Sequence, residues 1–234
     1  MSKRDFDDFD DFAHDYRQIH NKTIRISGAD SDFFSEQKIS EVRKNEDADD
    51  PRILDLGCGD GNSASFFHKY FPGAEYFGLD VSENSVAIAK AKTIPNAQFS
   101  HYDGMEIPFS EETFDIVFVS CVMHHISFEM HENFLQEVRR VMKLGGRLYV
   151  FEHNPFNPVT RRIVRMCPFD ADAVLLSAYY TKRLLSKLNF APVRIDYTLF
   201  IPRFKIFTKI LTWEKYLKWL PLGGQYYARA IKVR

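Results

Sequence analysis

The sequence predicts an α/β fold, a doubly wound and mostly parallel sheet with helices on both faces. Three observations carry this. From Pro51 onward, apolar runs of strand length alternate with stretches of helical periodicity. The runs, above all Phe114-Asp115-Ile116-Val117-Phe118-Val119-Ser120-Cys121, are close to continuously apolar, as strands covered on both faces are. The first run, Arg52-Ile53-Leu54-Asp55-Leu56, passes directly into Gly57-Cys58-Gly59-Asp60-Gly61. Glycine at every second position lets the backbone turn tightly from strand to helix with no side chain in the way of a ligand.

Residues 1–50 are polar with sparse aromatic anchors. Phe6, Phe9, Phe12 and Tyr16 recur at spacings of three or four and predict a helix; Gly28 and its short polar neighbours separate it from a second helix that carries Phe33 and Phe34 and ends near Lys44. The expectation is an N-terminal helical cap over 1–50 that lids a site at the strand ends, followed by one domain over 51–234. After the glycine turn, Asn62 or Ser63 caps a helix with Ala64, Phe66, Phe67, Tyr70 and Phe71 on its apolar positions. A second strand ends at Asp80, and Ser82 caps the helix containing Val86, Ala87, Ile88 and Ala89. A third strand over 97–102 ends at Asp103-Gly104; the fourth, over 114–121, precedes a helix over 132–142. The turn Lys143-Leu144-Gly145-Gly146 then feeds a fifth strand over 147–152. In the tail, helical stretches near 158–166 and 181–188 precede a strand over 193–199. A stripe of Ile206, Ile210, Trp213, Leu217 and Leu220 predicts a helical insertion over about 203–220 before a last strand near 226–233.

Composition narrows the functional classes. With 45% hydrophobic residues, 27% charged residues and a net charge of −1, nothing global points to nucleic acid. Three scattered cysteines make neither a disulfide framework nor a metal-ligand spacing, which suits a reducing cytoplasm. No run approaches the ~18 apolar residues needed to span a bilayer, so the expectation is a cytoplasmic protein, peripheral to a membrane at most. Trp213 and Trp219 near Lys209, Lys215 and Lys218 fit either core packing with a solvated basic face or contact with an anionic membrane.

Glycines 57, 59 and 61 admit two ligands. A dinucleotide turn wants its third glycine one residue later, beside a pyrophosphate. Here it comes early, and Asp55 within the strand suits a ligand with a cationic amino group. Both details favour S-adenosylmethionine over a nicotinamide dinucleotide.

At these residues the sequence resembles the class I S-adenosylmethionine-dependent methyltransferases, particularly the bacterial type 11 group. The resemblance covers about residues 51–154: Asp55-Leu56-Gly57-Cys58-Gly59-Asp60-Gly61, Leu79-Asp80-Val81-Ser82, Asp103-Gly104 with Ile107-Pro108-Phe109, Phe114-Asp115-Ile116-Val117, and Val122-Met123-His124-His125-Ile126. It implies a seven-stranded Rossmann-like methyltransferase sheet. It also implies that Asp55, Gly57, Gly59 and Gly61 contact the methionine moiety, with Cys58 filling the loop and Asn62 beside it. Asp80 and Val81 would meet the ribose, Asp103, Gly104 and Met105 would flank adenine, and Cys121 and Val122 would lie at the end of the fourth strand. S-adenosylhomocysteine would be the product.

Methyl transfer is an in-line displacement with a neutral thioether leaving, and an acceptor hydroxyl must still lose a proton. His124 is the first candidate for that proton and His153 the second; His125, Glu152, His20 and Tyr16 are further possibilities, each with hydrogen-bonded packing as its ordinary alternative. No metal is expected, because adjacent histidines diverge on a strand or helix and the remaining groups sit on separate loops. The segment Glu152-His153-Asn154-Pro155-Phe156-Asn157-Pro158, with Cys167-Pro168-Phe169-Asp170 after it, follows a strand's carboxyl end and is read as substrate-pocket construction; loop punctuation is the alternative. The expected reaction is O-methylation of a small-molecule or lipid- or glycan-linked acceptor. C- or N-methylation of a quinone or other metabolite, and a non-catalytic S-adenosylmethionine-binding protein, remain open.

Overall fold

The computed structural model describes residues 16–170, 172–204 and 211–234. Strands β1 (Arg52–Leu56), β2 (Glu75–Asp80), β3 (Ala97–His101), β4 (Phe114–Ser120), β5 (Met142–His153), β6 (Arg194–Thr198) and β7 (Gln225–Ile231) form one sheet in the order β3-β2-β1-β4-β5-β7-β6. The first five pair in parallel, and β7 runs antiparallel between β5 and β6. Strand order reverses between β1 and β4, which opens a crevice at their carboxyl ends, where ligands bind in open α/β sheets.

Four helices begin at a side-chain cap, whereas the helix after the glycine turn has Gly61 at its N-cap position and no side-chain cap, so neither Asn62 nor Ser63 caps it. Helices α1 (Tyr16–Ile24) and α2 (Ser31–Arg43) precede the sheet, and the Asp30 carboxylate accepts from the Phe33 amide at the start of α2. Helix α3 (Asn62–Tyr70) follows the glycine turn, and α4 (Glu83–Ala91) is capped by Ser82. Helix α5 (His131–Val141) leads into β5. Helix α6 (Pro158–Met166) has Asn157 as its cap and proline in its first turn, and α7 (Ala178–Lys187) is capped by Ser177.

Alternation along the strands divides the core in two. Leu54, Val117, Val119, Leu148 and Val150 pack with Phe134, Leu135 and Val138 of α5 and Leu184 and Leu185 of α7. Ile53, Ile116, Phe118, Tyr149 and Phe151 point the other way, onto Phe67 of α3, Val86 and Ala89 of α4, and Ile39 and Val42 of α2. Ile39 and Val42 are fully buried, so the second N-terminal helix is one of the layers that cover the sheet.

Three local differences from the sequence reading have physical reasons. Residues 143–146 stay inside β5 as a bulge: the register jumps from Phe114↔Met142 to Ile116↔Arg147, Gly145 adopts φ +79°, and its amide donates to the Lys232 carbonyl. Residues 211–216 form a 3₁₀ helix, and Trp213 and Trp219 are 64% and 74% exposed, so they lie outside the core. Phe6, Phe9, Phe12, Lys205, Ile206, Lys209 and Ile210 lie outside the described residues, so the first predicted stripe and part of the second do too. Among the described residues no helix is long and apolar enough to cross a membrane.

Candidate functional site

A cavity of about 450 Å³ sits over the β1/β4 crevice. A hollow of about 570 Å³ between α2 and the 211–218 segment is larger but contains none of the glycine turn.

The turn after β1 builds one wall. Gly57 has φ +77°, and a Cβ there would lie 2.3 Å from Val122 Cγ2, so both backbone conformation and space demand glycine. Gly59 has φ +53° and open space where its Cβ would be; its amide donates to Asp80 Oδ2 at 2.7 Å. Asp80 Oδ1 accepts from the Ser82 amide at 2.9 Å, so one carboxylate at the end of β2 ties the glycine turn to the start of α4. Cys58 is buried with its thiol pushed far up, by burial first and then by Asp80 and Asp55. It is a filler, and it has no thiolate to offer.

Nine of the thirteen residues expected on the cofactor side face the cavity: Gly57, Cys58, Gly59, Asn62, Asp80, Val81, Gly104, Cys121 and Val122. The other four do not, each for a visible reason. Gly61 begins α3 with φ +74° and lies against the sheet, where a Cβ would meet Ala89 at 2.9 Å and Phe99 at 3.0 Å; its smallness serves packing. Asp103 Oδ1 accepts from the amides of Met105 and Glu106, a turn-forming pattern, and Met105 points outward at 56% exposure. Asp55 lies behind the glycine turn, buried, with Tyr76 Oη donating to its Oδ2 at 2.6 Å while its Oδ1 has no hydrogen-bond partner among the described residues. Burial, with Asp80 adding repulsion, pushes the Asp55 carboxyl up to about 7.

The opposite wall comes from the N-terminal helices. Arg17 of α1 pairs through Nε with Asp60 Oδ2 at 2.5 Å and donates from Nη2 to Asn62 Oδ1 at 2.7 Å, and Lys92 Nζ joins Asp60 at 2.9 Å. Lys38 of α2 donates from Nζ to Ser120 Oγ at 2.7 Å and lies 3.5 Å from Cys121 Sγ. Cys121 itself holds φ +58° at the end of β4. Burial alone would raise its thiol, but the Lys38 ammonium and His153 bring it down to about 6.

His20 reaches the same cavity from α1. Ser31 Oγ donates to Asn21 Oδ1 at 2.6 Å, so it accepts from His20 Nδ1 at 2.7 Å. That chain assigns the Nδ1–H tautomer and places the lone pair on Nε2. Burial first, then Lys38 and His153, lower the imidazole to about 4 and keep it neutral.

The two histidines first expected to take a proton are placed differently. His153 lies at the cavity, with Gln225 Nε2 3.5 Å from its Nδ1. His124 is buried behind it, its Nδ1 2.5 Å from Glu152 Oε2 and its Nε2 3.7 Å from Asp170 Oδ1. Burial would lower this imidazole, yet the Glu152 and Asp170 carboxylates raise it above its ordinary value. His124 is enclosed and does not line the cavity, so the first expected base does not face an acceptor there. His125 faces the cavity, with its Nε2 3.5 Å from Asp170 Oδ1. The two adjacent histidines do not diverge as a strand or regular helix would make them, because they occupy one 3₁₀ turn, Met123–His125. Tyr16 begins α1, and its side chain lies outside the described residues.

Sequence reasoning missed Arg17, Lys38 and Tyr102, all at the cavity. The only signal for Asp170 was its place in the distinctive Cys-Pro-Phe-Asp stretch.

Residues 53–146 match a family model described as a methyltransferase domain. A phthiotriol/phenolphthiotriol dimycocerosates methyltransferase of Mycobacterium leprae is 33% identical over 109 residues, 46% of this chain and 40% of that protein. A demethylmenaquinone methyltransferase of Chlorobaculum parvum is 29% identical over 163 residues, 69% of this chain and 64% of that protein. The chain thus covers less than two thirds of either relative. Among solved structures, a chain from the complex of the Haloferax volcanii Trm112 methyltransferase activator with its putative methyltransferase superposes with a TM-score of 0.71. It is 18% identical, with 97% of this chain and 98% of that chain covered. At that identity the likeness establishes the fold.

Proposed function

We propose that this chain, whose residues 53–146 match a methyltransferase-domain family model, is a class I S-adenosylmethionine-dependent methyltransferase that methylates an oxygen of a small-molecule or lipid-linked acceptor. The observation that carries the reading is a single cavity with two unlike walls. One wall holds Gly57, Gly59, Asp80 and Val122; the other holds His20, His125 and His153 among apolar Ile24, Phe34, Ile163, Phe200 and Ile201.

The donor wall fits S-adenosylmethionine. The open space above Gly59 admits a ligand against bare backbone, and Asp80, at the end of β2, faces the cavity. Asp55 Oδ1 has no hydrogen-bond partner among the described residues, and an ammonium that reached past the glycine turn would meet it there. Bound there, S-adenosylmethionine supplies the methyl group as an electrophile on sulfur. The chain's own work is to orient an acceptor against it, exclude water with α1 and α2, and take the acceptor's proton. His20 Nε2 is the proton acceptor on this reading, since the Asn21–Ser31 chain puts the ring proton on Nδ1 and burial keeps the imidazole neutral.

The apolar residues of the same wall support an acceptor with hydrocarbon bulk, in keeping with the acceptors for which the two relatives are named. Exposed Trp213, Tyr216 and Trp219, near Lys215 and Lys218, support peripheral contact with an anionic membrane, the setting of a lipid-linked acceptor. Co-sedimentation with anionic liposomes at low and high salt tests the contact; no binding at low salt removes it.

The reaction is tested by transfer of labelled methyl from S-adenosylmethionine to phenolic, fatty-acid and quinol acceptors, beside calorimetry with S-adenosylhomocysteine. Binding with O-methylated product is the expected result. A C-methylated quinol would move the reading to the demethylmenaquinone relative's chemistry. Tight binding with no product across the panel would make the chain a binding protein.

A further inference from the structure

The 3₁₀ turn after β4 and the short 3₁₀ turn after α6 (Pro168–Asp170) bring His124 Nε2, His125 Nε2 and an Asp170 carboxylate oxygen within 4.8 Å of one another. We propose that these three side chains form a binding site for a divalent first-row transition-metal ion at the acceptor end of the cavity.

Distances argue for an ion more than for hydrogen bonding. Asp170 Oδ1 is 3.7 Å from His124 Nε2 and 3.5 Å from His125 Nε2, at or beyond the outer limit of a hydrogen bond. Two ligands on one ion at bond lengths of about 2.1 Å in tetrahedral geometry are roughly 3.4 Å apart, close to both observed separations. The third separation, between the two imidazole nitrogens, is at most 4.8 Å, so all three donors surround one small space.

A second, independent observation is the buried Nε2 of His124, which has no hydrogen-bond partner among the described residues and points into this cluster. Such an atom costs free energy unless something fills its valence. Its ring is aimed by Glu152, whose Oε2 accepts from Nδ1–H at 2.5 Å while Oε1 accepts from the Met123 amide at 3.0 Å, so a neutral ring with its proton on Nδ1 presents the Nε2 lone pair. Carboxylate behind histidine, with the far nitrogen presented forward, is the arrangement that orients imidazole ligands in metalloproteins. His131 steadies the turn from below, its Nε2 2.9 Å from the Met123 carbonyl.

Two imidazoles and one carboxylate suit zinc, iron(II), cobalt(II) or manganese(II) better than calcium or magnesium, which prefer all-oxygen shells. Three protein ligands leave positions for water or substrate, and His125 and Asp170 both face the cavity. If the methyl-transfer reading holds, an acceptor oxygen on this ion would lose its proton more readily. The ion-binding proposal does not depend on that reading.

The test uses the full chain, freed of metal by a chelator and titrated with Zn²⁺ in a calorimeter and with Co²⁺ by visible absorption. One ion per chain with a mixed nitrogen–oxygen Co²⁺ spectrum is expected. Asp170→Asn and His125→Ala should each weaken Zn²⁺ binding about 100-fold or more, and Glu152→Gln by roughly 10–100-fold. S-adenosylhomocysteine affinity, measured on the same samples, should stay within about threefold, which reports folding and separates this outcome from failure of the donor site. A wild-type chain that takes up no stoichiometric ion overturns the proposal whatever the variants do. So does an Asp170→Asn variant that binds Zn²⁺ as tightly as wild type.

Discussion

Gly57, Gly59, Asp80 and Val122 reach the cavity from the end of β2 and the turns that follow β1 and β4, and the Gly57 and Gly59 amides tie the first turn to the end of β2. His20, Lys38, His125, His153 and Asp170 reach it from helices, short turns and the end of β5, far apart in the chain and held by side chains. The first wall is specified by backbone conformation and so tolerates little change. The second is specified by charge and hydrogen bonding, so its members can be altered one at a time without unfolding the sheet. The two walls should therefore fail differently.

The largest effect belongs to the backbone wall. Gly57→Ala places a Cβ in a left-handed conformation and drives it into Val122, which together should cost on the order of 3 kcal/mol. Thermal stability and S-adenosylhomocysteine affinity should fall together, and adding Val122→Ala should recover the steric share but not the conformational one. If the single variant keeps wild-type stability, the claim that backbone geometry specifies this wall is wrong.

The side-chain wall should show the opposite pattern. On the proposed mechanism, His20→Ala lowers kcat on the order of 100-fold while the melting temperature and S-adenosylhomocysteine affinity hardly move. Equal losses in turnover and donor binding would erase the distinction between the walls.

The same distinction explains what could be read in advance. Strand order, the glycine turn and the Asp80 cap are local patterns, each written in a few consecutive residues. Lys38 meets Ser120 across 82 residues and Arg17 meets Asp60 across 43, and no periodicity encodes such a pairing. Residues were misplaced where one residue type serves two ends. Gly61 is small for Ala89 and Phe99, Asp103 forms a turn, and His124 is enclosed by two carboxylates whose positions depend on the tertiary fold. The bulge at 143–146 was invisible because Gly-Gly reads as a turn until the Gly145 amide and the Gly146 carbonyl are seen pairing with Lys232.

A smaller effect tests where the donor wall ends. Asp55 carries a folded-state pKa of about 7 against an ordinary 3.8, so the unliganded protein favours its uncharged form. Its contribution to stability is therefore present below 3.8 and is lost as pH rises toward 7. Binding of an ammonium needs the charged form, so S-adenosylhomocysteine affinity should rise about tenfold between pH 6 and pH 8. Asp55→Asn should flatten both trends, and an unchanged affinity slope in that variant would detach Asp55 from the ligand.

The smallest effect lies where the two walls touch. Lys38 from α2 sits beside Cys121 at the end of β4, and Lys38→Met should let the thiol rise from about 6 toward its ordinary 9.0. At pH 7 that would cut the thiolate fraction by up to roughly 90-fold, but intrinsic nucleophilicity climbs with pKa at a slope of about 0.4–0.5, so net alkylation should slow only several-fold. The rate at one pH is thus a poor readout, and the midpoint of the alkylation-versus-pH curve is the sensitive one. That midpoint should move up by a unit or more in Lys38→Met and stay in place in Lys38→Arg, which keeps the charge. If it does not move in Lys38→Met, the ammonium of α2 does not set the Cys121 thiolate, and the electrostatic link between the N-terminal helices and the sheet is lost.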